Sequence, residues 1–122
     1  MKRSGFSMME LVTVLIIIGI LSTLAISQYR GTIERSLNQD VHHQLILLQR
    51  GQESYRLDHP AYFASSNFND INNTLRAFIP SNRYWNFEVF ANGCVQAQRN
   101  GGDNRYWSLT INATVPAASA CP

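Results

Sequence analysis

Two kinds of apolar pattern divide this chain. From Leu11 to Tyr29 no residue is charged, and aliphatic side chains fall on every face of a helical projection. These 19 residues, as a helix rising 1.5 Å per residue, span about 28 Å, close to the ~30 Å hydrocarbon thickness of a bilayer. A core helix this uniformly apolar does not suit so small a protein, so the run reads as a membrane-inserted helix. Beyond Tyr29 the pattern becomes amphipathic. Ile33, Leu37, Val41, Leu45, Leu48 and Tyr55 mark one helical face. Arg35, Gln39, Asp40, His42, His43, Gln49 and Arg50 fall on the others. The spacing predicts one continuous helix from about Phe6 to about Asp58, closed by Pro60, with Gly31 and Gly51 lowering helicity without ending it.

Ala61 to Arg83 is polar and rich in asparagine. It reads as a connecting loop with a short helix or strand around Ile71–Ile79. Alternation then predicts three strands: Trp85, Phe87 and Val89 inward in the first, Cys94 to Gln98 as the second, and Trp107, Leu109, Ile111 and Ala113 inward in the third. Asn92-Gly93 is a hairpin signal between the first two. The tail from Val115 to Pro122 has no strand pattern. The fold class is α+β: a long N-terminal helix whose second half packs on a small antiparallel sheet.

Charge sharpens the reading of the N-terminus. Lys2 and Arg3 precede the apolar run, and the positive-inside rule holds that end in the cytoplasm while the remainder is exported. In an oxidising exported compartment the two cysteines, Cys94 and Cys121, read as a disulfide, closing a loop worth roughly 3–4 kcal/mol by chain entropy. Ten basic residues stand against eight acidic ones; without Lys2 and Arg3 the counts are equal, which leaves no nucleic-acid footprint by net charge. Glu10, at the head of the apolar run, is costly if it sits deep in a membrane. It either lies at the interface, favoured by the helix dipole, or awaits a positive partner in an assembly.

Met1-Lys2-Arg3-Ser4-Gly5, then Phe6-Ser7-Met8-Met9-Glu10-Leu11-Val12 and the apolar helix with its internal Gly19, resembles the signal of type IV pilins and pseudopilins over roughly residues 3–30. The resemblance implies a leader peptide at 1–5, a transmembrane and assembly helix at 6–29, and a globular head at 30–122. It implies cleavage between Gly5 and Phe6 by a prepilin peptidase and N-methylation of Phe6. It implies that Glu10 faces the Phe6 amine of a neighbouring subunit. An unpaired carboxylate in a dry helix bundle is costly, so such a pair would also set axial register. The implied partners are other pilin subunits, prepilin peptidase, an inner-membrane assembly platform and, before assembly, membrane lipid. The implied location is the inner membrane with the C-terminus periplasmic, then an extracellular filament. Ser27 stands where the family commonly has proline.

Gln52-Glu53-Ser54-Tyr55, followed by a turn and Tyr62, resembles the helix end of small minor pilins. A major secretion pseudopilin usually carries an Asp-rich calcium loop near its C-terminus, and Ala113–Pro122 has no acidic residue. The expected function is therefore a minor subunit of a type IV pilus, with a major pilin or a secretion pseudopilin as the alternatives. DNA uptake or adhesion is an added role, if Arg76, Arg83, Arg99 and Arg105 converge on phosphate. No cofactor is expected. His42 and His43, adjacent on a helix, point about 100° apart and cannot chelate one ion, so both read as solvated. Asp58-His59 reads as a helix-end cap or local ion pair. Asn72-Asn73-Thr74 and Asn112-Ala113-Thr114 fit the N-glycosylation sequon, a short signal that is common by chance. No catalytic motif occurs, and an enzyme is not expected.

Overall fold

The computed structural model describes residues 4–81 and 83–122. Lys2 and Arg3 of the expected leader, and Asn82 of the expected loop, lie outside them. The first helix, α1, runs Met8–Asp58. Contacts divide the chain into one unit ending at Leu37 and a second, Asn38–Pro122.

In the first unit the apolar run is helical throughout, Gly19 and Ser27 included. Its serine and threonine hydroxyls do not interrupt it because each bonds back to the preceding turn. Thr13 Oγ1 donates to Met9 O at 2.8 Å, Ser22 Oγ to Ile18 O at 2.7 Å, Thr23 Oγ1 to Ile20 O at 2.7 Å and Ser27 Oγ to Leu24 O at 3.1 Å. A polar group moved into an apolar medium is tolerated only when its hydrogen bond travels with it. The apolar side chains of this unit are exposed: Leu15 by 61% and Leu21 by 60%.

The second unit has a core of its own. Val41, Leu45 and Leu48 of α1 are fully buried with Trp85, Phe87 and Val95 of the sheet. Ile33, on the same stripe by spacing, is 41% exposed; periodicity marks an apolar face, and burial also requires something to cover it. The second helix, α2, is Phe68–Leu75, earlier than the expected 71–79. Asn67 starts it, its side chain accepting from Asn69 N–H at 3.0 Å. The left-handed Arg76 (φ 51°) ends it. Ile79 lies beyond the helix, tied back by Asn72, whose amide donates to Ile79 O and accepts from Ile79 N–H, both at 2.8 Å. Gly51 is where α2 presses on α1: a Cβ there would lie 3.0 Å from Leu75 Cβ and 3.1 Å from Leu75 O.

The sheet, among the described residues, is β1 (Trp85–Val89), β2 (Val95–Arg99) and β3 (Tyr106–Leu109), antiparallel in the order β1-β2-β3. Phe87, Ala97 and Trp107 stand opposite one another. The β1–β2 turn holds Gly93 at φ +85°, where a Cβ would meet the Tyr62 ring at 3.1 Å. Asn92 Oδ1 accepts from Cys94 N–H at 3.0 Å in that turn, so β2 begins at Val95, one residue later than expected.

The third strand is shorter than its alternation suggested. It stops at Leu109, and Ala113 N–H closes a turn onto Thr110 O at 3.0 Å. The cause is Gln49, which the helical pattern placed in solvent. Its Nε2 donates to Thr110 O at 2.7 Å and Ala113 O at 2.9 Å, so these carbonyls face α1 and leave the strand direction. Both edges of the sheet carry a single extra bridge, Ser65 on Val89 and Ala117 on Ser108. The tail thus makes one strand-like contact. It also explains why Gln96 and Ser108, on the outward face, are buried.

Candidate functional site

Two places carried the expected chemistry, the N-terminal segment and the disulfide-bounded end of the head. At the first, residues 4–7 are non-helical and exposed, Phe6 by 81%. A Cβ on Gly5 would meet nothing within 4 Å, so this fold does not itself require glycine there. Ser7 caps α1. Its Oγ accepts from Glu10 N–H at 3.2 Å and its carbonyl accepts from Leu11 N–H at 3.1 Å. Ser7-x-x-Glu10 is the spacing of a capping box, a signal in plain view that the sequence reading passed over. Glu10 lies in the first turn, where the helix dipole favours a carboxylate. Gly5, Phe6 and Glu10 are therefore brought within one turn of a helix start, on an exposed segment.

At the second place, Cys94 and Cys121 are bonded, with Cα atoms 6.1 Å apart and a sequence separation of 27. Cys94 is buried and Cys121 half-buried. Cys121 N–H donates to Gln96 Oε1 at 2.8 Å, so the tail is fixed to β2 by a covalent and a polar link.

Of the four arginines, three gather at one end of the sheet. Arg83 and Arg99 lie over the Tyr84 ring, 5.1 and 5.4 Å from its centroid, and Arg99 also lies over Trp85. Arg83 Nη2 donates to Tyr84 Oη at 3.1 Å, which raises the Arg83 pKa. Arg99 N–H donates to Arg105 O, and Arg105 pairs with Asp103. Arg76 sits elsewhere, in a groove with Ser54, Asp58 and His59. The guanidiniums are engaged with rings and a carboxylate, which is a packing role.

His42 departs from its expected solvated position. It packs edge-on against Trp107, ring centroids 4.2 Å apart, and its Nε2 is buried without a hydrogen-bond partner. Burial lowers its pKa, since the charged form loses solvation. His59 stacks on Tyr55 at 3.9 Å, and its Nδ1 lies 3.1 Å from Tyr55 O. It ends the helix through Tyr55, with Arg56 Nη1 donating to His59 O at 3.0 Å.

Neither a family model nor a solved structure matches the chain. Curated relatives do. Over 61 residues it is 30% identical to the type II secretion system core protein G of Klebsiella pneumoniae, and equally to those of Aeromonas hydrophila and Escherichia coli (strain K12). The match covers 50% of this chain and 42–44% of those proteins, so it spans less than half of their length. The long N-terminal helix packed on a three-stranded antiparallel sheet is the type IV pilin-like arrangement.

The fold is type IV pilin-like.

In this pilin-like protein the apolar N-terminal helix is compatible with a single-pass membrane anchor. Among the described residues no cluster of three His, Cys, Asp or Glu side chains could hold a metal ion. Of the two sequons, the amide of Asn72 is engaged by Ile79 through both of its polar ends, whereas Asn112 is exposed on the turn after β3. The residue that sequence reasoning undervalued is Gln52. It is fully buried, its Nε2 donating to Phe63 O at 2.7 Å and its Oε1 accepting from Phe63 N–H at 3.0 Å. The Gln-Glu-x-Tyr run thus has a physical meaning: its first residue imitates a strand partner for the chain that returns after Pro60.

Proposed function

We propose that this protein is a structural, non-enzymatic subunit of a pilin-like filament, assembled through the first half of α1. The observation that carries the reading is the exposure of the whole apolar window of that helix, none of which is buried by the rest of the chain. Covering that surface is worth roughly 25 cal/mol per Å2, and parallel helices of neighbouring subunits can cover it as fully as lipid does. In this scheme the leader 1–5 is removed between Gly5 and Phe6 by a prepilin peptidase, Phe6 is N-methylated, and Glu10 is neutralised by the Phe6 amine of the next subunit. Before assembly the helix lies in the inner membrane with the head, 30–122, on the periplasmic side, engaged by an assembly platform.

Within that class we favour a minor subunit of a type IV pilus, on the helix end Gln52–Tyr62 and the acid-free, disulfide-pinned tail. A subunit of a secretion pseudopilus is the second reading, favoured by the matched relatives being type II secretion proteins. Quantitative mass spectrometry of sheared filaments, targeting the peptide that begins at Phe6, tests the filament reading and the minor place within it. Trace amounts of methylated peptide beside an abundant shaft protein support the minor subunit, and high abundance makes the protein the shaft itself. Its absence, with uncut chain in the membrane, would remove the filament reading.

A further inference from the structure

The two faces of β1's backbone have different fates. Tyr84 O accepts from Asn100 N–H at 2.8 Å and Phe90 N–H donates to Cys94 O at 3.0 Å, so the even-numbered residues turn their main-chain groups toward β2. Bonded and non-bonded pairs alternate along an antiparallel ladder. Trp85, Phe87 and Val89 therefore turn theirs to the outer edge of the sheet. Val89 is satisfied there, exchanging two bonds with Ser65 at 2.9 and 3.0 Å. Trp85 and Phe87 continue the same row, and no described strand pairs with them. Instead both line a cavity of about 450 Å3 whose walls include Ser66, Phe68, Ser81 and Glu88.

Main-chain donors and acceptors repeating at every second residue, ~6.8 Å apart, match the groups of another extended chain. We propose that this edge binds an extended segment of another polypeptide by antiparallel strand addition, continuing the pairing that Ser65 begins. Glu88 is the one charged side chain among the described residues of the wall, and it shares the outward face with Asn86, Gln96 and Gln98. Opposite charges on adjacent strands attract, so the segment carries a lysine or arginine beside Glu88 and a small side chain toward Phe68. The protein's own irregular tail, Ala113–Pro122, has no basic residue and is bridged to β3 and bonded to Cys94, and the proposed segment is that of a different protein.

The test uses the full chain in detergent micelles and, as probe, an octapeptide of alternating threonine and valine with one central arginine. Hydrogen exchange at the amides of Trp85 and Phe87 is expected to slow at least tenfold on adding the peptide, while Val89, already paired, does not change. A peptide N-methylated on its edge-facing amides loses binding. Glu88→Lys weakens the arginine peptide at least tenfold, and Ser81→Trp, at an exposed position, abolishes binding by filling the cavity with the unfolding midpoint unchanged. Unaltered exchange at millimolar peptide, or equal binding of the N-methylated form, overturns the proposal. Protection that grows with protein concentration in the absence of peptide also overturns it, and assigns the edge to a second copy.

Discussion

Residues 11–29 and residues 41–52 belong to the same helix, yet they handle polar side chains in opposite ways. In the first stretch every serine and threonine hydroxyl is folded onto its own helix, within four residues of the carbonyl that accepts from it. In the second, amides reach far along the chain: Gln49 to carbonyls 61 and 64 residues away, Gln52 to Phe63. The first stretch is complete in its hydrogen bonds and incomplete in its apolar contacts. The second buries its apolar face and pairs the amides of Gln49 and Gln52, and only because the head is folded around it. Changes in the first region should therefore alter assembly and leave the head intact, whereas changes in the second should alter the head's stability.

The largest expected effect lies in the segment that leads into the first region. Gly5→Leu should abolish appearance of the mature chain while the head keeps its disulfide and protease resistance; a mature chain from this variant would refute the leader assignment. Glu10→Val should be processed normally yet enter filaments at least tenfold less, since a neighbouring ammonium would be left buried alone. Normal incorporation would end the register argument.

In the head folded around the second region, Cys94→Ser should destabilise by about 3–4 kcal/mol, from the 27-residue separation that the bond closes. The readout is the urea midpoint of the detergent-solubilised chain, and a change below ~1 kcal/mol would show that the tail is held by its other contacts. Gln52→Leu removes both partners of the Phe63 main chain and should cost about 2–3 kcal/mol. The smallest effect is a pH dependence. The folded chain holds the His42 pKa below its ordinary 6.5, so the unfolded chain binds the proton more readily. Stability from this group is then complete above 6.5 and declines as pH falls through 6.5 toward the lowered value. His42→Phe should flatten the unfolding midpoint between pH 7 and pH 5; an unchanged slope would place the effect on other groups.

How much of this was legible in the sequence follows the same division. Residues 8–58 read as one helix because local spacing is enough to specify it, and Trp85, Phe87 and Val89 alternate cleanly because β1 has one buried and one open face. The cysteine pair needed only the compartment. What stayed hidden was set by contacts between distant residues. The buried positions of Gln49 and Gln52 follow from carbonyls that no local pattern marks, and the early end of β3 follows from Gln49. His42 is drawn inward by Trp107, 65 positions along the chain. Ser7 was different: its capping role was local and readable, but it sat inside a motif already given another meaning.

The back-bonded hydroxyls of α1 have a kinetic consequence. Thr13, Ser22, Thr23 and Ser27 ask nothing of their surroundings, so the segment would meet lipid tails and the side chains of other helices on equal hydrogen-bonding terms. Passage between the two would strand none of these hydroxyls, and their share of the barrier would be contact and ordering alone. Such a helix can be drawn out of one apolar medium into another, and returned, without being rebuilt.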